Sequence, residues 1–225
     1  MSPGERLAAI QDRIAAACHQ AGRSTDEVSL LAVSKTFPAE AVAELFAAGQ
    51  RCFGESKQQE AAPKIDALPA EIEWHFIGGL QRNKVRKVVP SFGCIHSIDS
   101  LRLAEAVDRV AAELGRVLPV YLEVNLGGEE SKGGFSPEAL EEFAAAHADL
   151  AALKILGVMA IPPADDEPRR WFARAREIRD RLRESTGLPL PGLSMGMSAD
   201  FEAAILEGST IVRVGSALFG SRTYP

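Results

Sequence analysis

The sequence predicts a (β/α)8 barrel (TIM barrel), and three observations predict it. Short apolar runs alternate with amphipathic segments eight times along the 225 residues. The strand starts fall roughly 20 to 40 residues apart, the length that one βα unit occupies. No Gly-x-Gly-x-x-Gly follows the first strand, which counts against the runner-up, an open doubly wound sheet. With 46% apolar residues one substantial core is affordable, and no repeat, linker or low-complexity stretch divides the chain. Residues 1–225 are expected to form one domain.

The elements follow in order. Glu5 to Ala21 is helical, because Leu7, Ile10, Ile14 and Ala17-Cys18 recur at helical spacing and Gly22 offers the C-terminal stop. Leu30 to Lys35 is the first strand. Pro38 opens a helix through Val42, Leu45 and Phe46 that stops at Gly49. Arg51 to Gly54 is the second strand, with a polar helix from about Lys57 to Ile65 behind it. Glu73 to Gly78 and Cys94 to Ile98 are strands three and four, separated by a helix over Gln81 to Val89. Asp99 or Ser100 caps the next helix, which ends at Gly115. Pro119 to Asn125 is strand five, and Ser136-Pro137 opens the helix after it. Leu153 to Ala160 precedes an Arg-rich helix from Pro168 to about Ser185. Leu190 to Met195 is strand seven, Ser198 to Leu206 a capped helix, and Thr210 to Val214 strand eight. Too little chain follows strand eight for a covering helix. The first helix, which has no strand before it, is expected to pack outside strands eight and one and complete the ring.

Charge and cysteines exclude several classes. A net charge of −6 argues against a nucleic-acid surface or an anionic-membrane binder. Cys18, Cys52 and Cys94 are odd in number, widely spaced and without a CxxC pattern, which fits a reducing compartment better than disulfides or a zinc site. Met1 to Arg23 carries Glu5 and Asp12 and is no signal segment, and no apolar run approaches membrane length. A cytoplasmic protein without a metal is expected.

The C-terminal ends of barrel strands are where ligands bind. Lys35 closes the apolar run Leu30-Leu31-Ala32-Val33-Ser34 there. A desolvated lysine at that place is a competent amine toward a carbonyl, and a lysine snorkelling from a strand end is an equal reading. Barrels frequently hold phosphate at the loops after strands seven and eight. Those loops read Ser194-Met195-Gly196-Met197-Ser198 and Arg213-Val214-Gly215-Ser216. Gly215 admits close backbone approach, Gly215 and Ser216 supply N–H groups, and Ser198 supplies a hydroxyl; taken singly, Ser198 reads as a helix cap and Gly215 as a turn. Arg213 alternates in phase with Ile211 and Gly215, so it needs an acceptor: either an ion-pair partner such as Glu123 or a ligand atom. Amine, phosphate cradle and arginine together suit pyridoxal 5′-phosphate. A sugar phosphate held as in class I aldolases would use only the first two.

Eight motifs now carry a resemblance. They are Leu30-Leu-Ala-Val-Ser-Lys35-Thr, Phe53-Gly-Glu-Ser56, Trp74-His-Phe-Ile-Gly78 with Leu80-Gln-Arg-Asn-Lys84, His96-Ser-Ile-Asp99, Ser131-Lys-Gly-Gly-Phe135, Gly157-Val-Met-Ala-Ile-Pro162, Leu193-Ser-Met-Gly-Met-Ser-Ala-Asp200 and Val212-Arg-Val-Gly-Ser-Ala-Leu-Phe-Gly220. In this order, from Ile10 to Arg222, the chain resembles the pyridoxal-phosphate homeostasis proteins. The resemblance implies a fold-type III barrel like the N-terminal domain of alanine racemase. It implies that Lys35 holds the cofactor as a Schiff base, that Arg213 faces the pyridine nitrogen, and that Ser198, Gly215 and Ser216 hold the phosphate. With Ser56 and Met195 these make up the expected cofactor-binding set. Ser56 stands where the family usually has asparagine, and Gly79 where a larger residue or proline is common; His75 reads as a core histidine or a ring neighbour.

The resemblance also implies a carrier or buffer of the cofactor without turnover. The alternative is an amino-acid racemase-like enzyme, which would need a second acid/base tyrosine and an extra β-domain. The chain offers only Tyr121, inside strand five, and Tyr224, in the tail. A monomer is expected, with pyridoxal-phosphate-dependent apo-enzymes as recipients. The basic stretch Arg82, Lys84, Arg86 and Lys87 borders the mouth and is a solvated face or a docking surface. Lys132 is a loop lysine or a second amine.

Overall fold

A computed structural model describes residues 1–128, 133–163 and 166–220. Eight parallel strands close into a barrel in sequence order. They are β1 (Ser29–Val33), β2 (Cys52–Glu55), β3 (Glu73–Phe76), β4 (Cys94–Ile98), β5 (Leu118–Val124), β6 (Leu153–Ala160), β7 (Gly192–Ser194) and β8 (Ile211–Val214). The helices are α1 (Pro3–Gln20), α2 (Ala39–Ala47), α3 (Gln58–Ala67), α4 (Val85–Val88), α5 (Leu101–Glu113), α6 (Pro137–Ala146), α7 (Pro168–Thr186), α8 (Phe201–Leu206) and α9 (Ser216–Phe219). None is long and apolar enough to cross a membrane.

The expected ring completion holds. Ser2 and Glu5 form a reciprocal capping box on α1, and Gly22 turns the chain after it at φ +66°. The stripe Leu7, Ile10, Ile14, Ala17 and Cys18 is buried. α1 packs on α8, α9 and α2. Arg13 pairs with Glu202 of α8 at 2.6 Å, lies over the Phe201 ring, and Arg6 binds the Leu218 carbonyl of α9.

Three local expectations change. β1 ends at Val33, so Lys35 is not the last strand residue but sits in the turn beyond it. The expected helix over Gln81–Val89 divides into a 3-10 turn, Arg82–Lys84, and the single turn α4. Ser198 caps nothing, because α8 starts three residues later with Asp200 at its N-cap position.

Strand alternation decides what faces inward. Leu31, Cys94, Tyr121, Met159 and Ile211, from five different strands, cluster inside the barrel, while Ala32, Phe53, Trp74, Val120, Leu193 and Val212 join the larger core under the helices. At Gly157 a Cβ would lie 1.8 Å from the Gly192 oxygen, so β6 and β7 approach as closely as they do only with glycine there.

Candidate functional site

The Lys35 turn is fixed on both sides. Phe37 N–H donates to the Ser34 carbonyl at 3.1 Å and closes the turn, with Thr36 at φ +72°. That is a costly conformation for a β-branched residue, on the order of 1–3 kcal/mol, which persists only when neighbours enforce it. On one side, buried Ser34 donates its hydroxyl to Glu55 Oε1 at 2.6 Å. Lys64 of α3 reaches the same oxygen at 2.7 Å and the Ser34 carbonyl at 2.9 Å. On the other side the Phe37 ring stacks on Phe219 of α9 with centroids 4.7 Å apart. Lys35 itself is half-buried at the C-terminal mouth.

The loops after β7 and β8 meet beside this turn. Gly215 N–H points at Ser198 Oγ at 3.4 Å, and the Ser216 and Ser198 hydroxyls are 3.5 Å apart. Ser198, Gly215 and Ser216 thus come together as a small polar cradle. Two glycines shape it. A Cβ on Gly215 would lie 3.3 Å from the Val33 carbonyl, at the end of β1. At Gly196, φ is +92° and a Cβ would lie 2.9 Å from Phe201 Cα, so only glycine turns the chain there. Asp200 Oδ1 accepts from Met197 N–H at 2.6 Å and braces the same loop.

Arg213 is buried inside the barrel and is not ion-paired with Glu123 among the described residues. Instead its Nη1 donates to the Ser194 carbonyl at 2.6 Å and hydroxyl at 2.8 Å, and Nη2 to the Ala160 carbonyl at 3.1 Å. Burial lowers its pKa to about 10, with Glu123 and Asp200 opposing the shift, so it stays charged at neutral pH. A guanidinium has five N–H donors and these bonds engage three. A polar chain continues from Ser194: its Oγ lies 2.8 Å from His96 Nδ1, and His96 Nε2 lies 2.9 Å from His75 Nδ1. β4 and β7 are not neighbours in the sheet, so the His96–Ser194 contact crosses the barrel interior.

Two expected members stand apart. The alternation that turns Ser194 inward turns Met195 outward, where it is fully buried in the core under the helices, so its side chain does not face the mouth. Ser56 is half-buried beyond β2, and its carbonyl lies 2.1 Å from where a Cβ on Gly78 would be. Tyr121 is inside the barrel but is directed at Thr210 and Gly192, toward the end of the barrel away from Lys35. Lys132 and Tyr224 lie outside the described residues.

Residues 6–223 match the family model described as alanine racemase, N-terminal domain. The pyridoxal phosphate homeostasis protein of Aquifex aeolicus is 45% identical over 228 residues, covering all of both chains. That of Escherichia coli K12 is 46% identical over 97% of this chain and 96% of its own. The chain belongs to the pyridoxal phosphate homeostasis family. Within the family, the solved structure of PipY from Synechococcus elongatus with PLP bound is 40% identical, covers 97% of this chain and all of its own, and superposes with a TM-score of 0.86. Alanine racemase from Corynebacterium glutamicum, 19% identical with a TM-score of 0.73, shares the fold; this chain covers 62% of it.

In this family member the residues that sequence reasoning missed are supports. Ser194 and His96 back Arg213, and Glu55 and Lys64 fix the Lys35 turn. Ser194 had a signal, a polar residue at an inward position in phase across β7. Lys64 had a weaker one, an i+3 partner of buried Ala61 on a helix face that should be apolar. Gly79 has open space around it, so the departure there leaves the loop after β3 unfilled.

Burial first, then His75 and Arg213, holds His96 well below the ordinary histidine range. An unfolded chain takes up a proton there near pH 6.5, whereas the folded chain does not. Stability is therefore expected to fall as pH drops below about 6.5, by up to about 1.4 kcal/mol per pH unit from this group. Urea unfolding at pH 7.5 and 5.5 checks it: His96→Asn should flatten the slope, and an unchanged slope in that variant refutes the assignment.

Proposed function

We propose that this chain binds pyridoxal 5′-phosphate at the C-terminal mouth of its barrel and carries or buffers it for vitamin B6 homeostasis without turning it over. The observation that carries the reading is the convergence of the Ser198–Gly215–Ser216 cradle with the end of β1, where Lys35 follows. When bound, the cofactor supplies an aldehyde that an amine takes up reversibly. Lys35 presents that amine from a turn fixed by Ser34, Glu55, Lys64 and Phe37. Ser198 Oγ, Ser216 Oγ and the Gly215 N–H offer donors to the phosphate. Ser56 lines the rim after β2.

Arg213 faces the ring nitrogen in this reading and keeps its own proton, so that nitrogen stays unprotonated and the electron sink that transamination needs is missing. The Tyr121 hydroxyl is directed to the other end of the barrel, so it is not the second acid/base tyrosine that a racemase sets opposite its lysine. These features favour a carrier over the racemase-like alternative.

The carrier reading extends to residues 1–225 as one cofactor-binding domain, a monomer in a reducing cytoplasm. The thiols of Cys18, Cys52 and Cys94 are free, and Met1, Leu114, Val117, Ile161 and Met197 are the exposed large apolar residues among those described. The recipient is a pyridoxal-phosphate-dependent apo-enzyme docking at exposed Arg82 and neighbouring Lys84. Arg86 is already engaged by Glu113 at 2.6 Å. Reversing Arg82 and Lys84 to glutamate should slow transfer to an acceptor apo-enzyme, and unchanged transfer removes this surface.

The test of the function is direct. Purified protein is expected to be yellow, and borohydride followed by mass mapping should place the reduced adduct on Lys35. Incubation with L- and D-alanine should leave chirality and the α-proton untouched. Lys35-dependent racemisation would instead establish the enzyme.

A further inference from the structure

At the opposite, N-terminal rim of the barrel lies a second cluster that the carrier function does not use. Glu73 and His75 are two apart on β3 and so share its inner face. The register sets Cys52, the first residue of β2, directly beside Glu73. Cys52 Sγ lies 3.3 Å from Glu73 Oε2, and His75 Nε2 lies 3.1 Å from Glu73 Oε1. The donor atoms of the three side chains all fall within 4.8 Å of one another.

His75 is 6% exposed, and its Nε2 is a buried nitrogen without a hydrogen-bond partner, since the Glu73 oxygen is near but not aligned. An unpartnered buried imidazole nitrogen is costly, and here it is aimed at a thiol and a carboxylate. From these positions we propose that Cys52, Glu73 and His75 form a site for a divalent metal ion of the zinc class, bound through Sγ, a carboxylate oxygen and Nε2.

Thiolate, imidazole and carboxylate are the three donor types that zinc takes from proteins, at about 2.0–2.3 Å. Tetrahedral ligands at that range stand roughly 3.3–3.8 Å from one another, so small side-chain rotations close the site. Solvent reaches the cluster from the Glu73 side, where the side chain is 57% exposed, and a cleft of about 370 Å³ lined by Ile14, Ser29, Gln50 and Cys52 opens at Cys52. The neighbouring trio His75, Cys94 and His96 is wholly buried, and its two imidazoles already bond to each other.

The ring behind the site is oriented as a metal-bound histidine requires. With Nε2 on the metal, His75 Nδ1 carries the proton and donates to His96 Nε2. His96 Nδ1 then donates to Ser194 Oγ. Binding releases one proton as the Cys52 Sγ–H bond gives way to Sγ–metal.

The test uses the full, tag-free chain and cobalt(II) and zinc(II) ions. One equivalent of cobalt should give a thiolate charge-transfer band that zinc abolishes. Competition with a chromophoric chelator should show one zinc per chain, weakened more than about 100-fold in Cys52→Ser and in Glu73→Gln, beyond what loss of an outer-shell contact brings. Circular dichroism verifies that both variants fold, and either one suffices if the other does not. Lys35→Ala should bind zinc as the parent does, which separates this site from the cofactor reading. Absence of the cobalt band, or zinc affinity unchanged in the folded variants, overturns the proposal.

Discussion

Lys35→Ala is expected to emerge from purification colourless and to give no borohydride-stable adduct with added pyridoxal phosphate. The side chain is half-buried in a turn whose fixed points are Ser34 and Phe37, so its loss leaves the fold in place. What remains of the proposed site is the Ser198–Gly215–Ser216 cradle and Arg213. Affinity is expected to drop by about 4 kcal/mol or more, roughly 1,000-fold in Kd. Ser198→Ala makes the contrast, because it keeps the amine and removes one donor to a charged group, at about 1.5–3 kcal/mol, or roughly 10- to 150-fold. Equilibrium dialysis with absorbance measures both. A yellow Lys35→Ala protein, or an adduct mapped to another lysine, would end the reading.

The second large effect is on stability. The side chains of Lys64 and Glu55 are 9% and 0% exposed and pair at 2.7 Å. Glu55 Oε2 already has no hydrogen-bond partner. Lys64→Ala strands a buried carboxylate beside Ser34, and removing one partner of a buried pair costs about 3–5 kcal/mol. The midpoint of urea unfolding should fall accordingly. Lys64→Met combined with Glu55→Gln should recover most of the loss, because no unpaired charge is left. A single-variant loss below about 1 kcal/mol would mean that water reaches Glu55 when Lys64 is gone.

The order of elements was legible because most strands hold apolar runs set off by Gly or Pro, such as Gly93 before β4, Pro162 after β6 and Gly215 after β8, and long helices such as α1 and α5 repeat apolar residues at helical period. Gly22, Gly187 and the Ser2–Glu5 box mark ends by chemistry that acts within four residues. The cradle was legible for a similar reason, since the barrel fixes which two loops come together. Two side chains lie elsewhere than their local sequence suggests. Ser198 looks like a cap because Ser-x-Asp usually is one, yet Asp200 takes that position and frees the hydroxyl for Gly215, 17 residues away. Met195 follows a site-like serine in sequence, but strand parity sends it to the other face.

Alone, then, the sequence determined the alternation of strands and helices, the lysine that follows the first apolar run, the arginine inside the eighth, and the family. Those are properties of composition and short-range periodicity, which chain order carries in full. Closure of the sheet decided the rest. It joined His75, His96, Ser194 and Arg213 across the interior, clamped the Lys35 turn with Lys64 and Phe219, and set Cys52 beside Glu73 and His75. Such contacts depend on register between separate strands, and a residue's neighbours in sequence do not encode which residue will lie across from it.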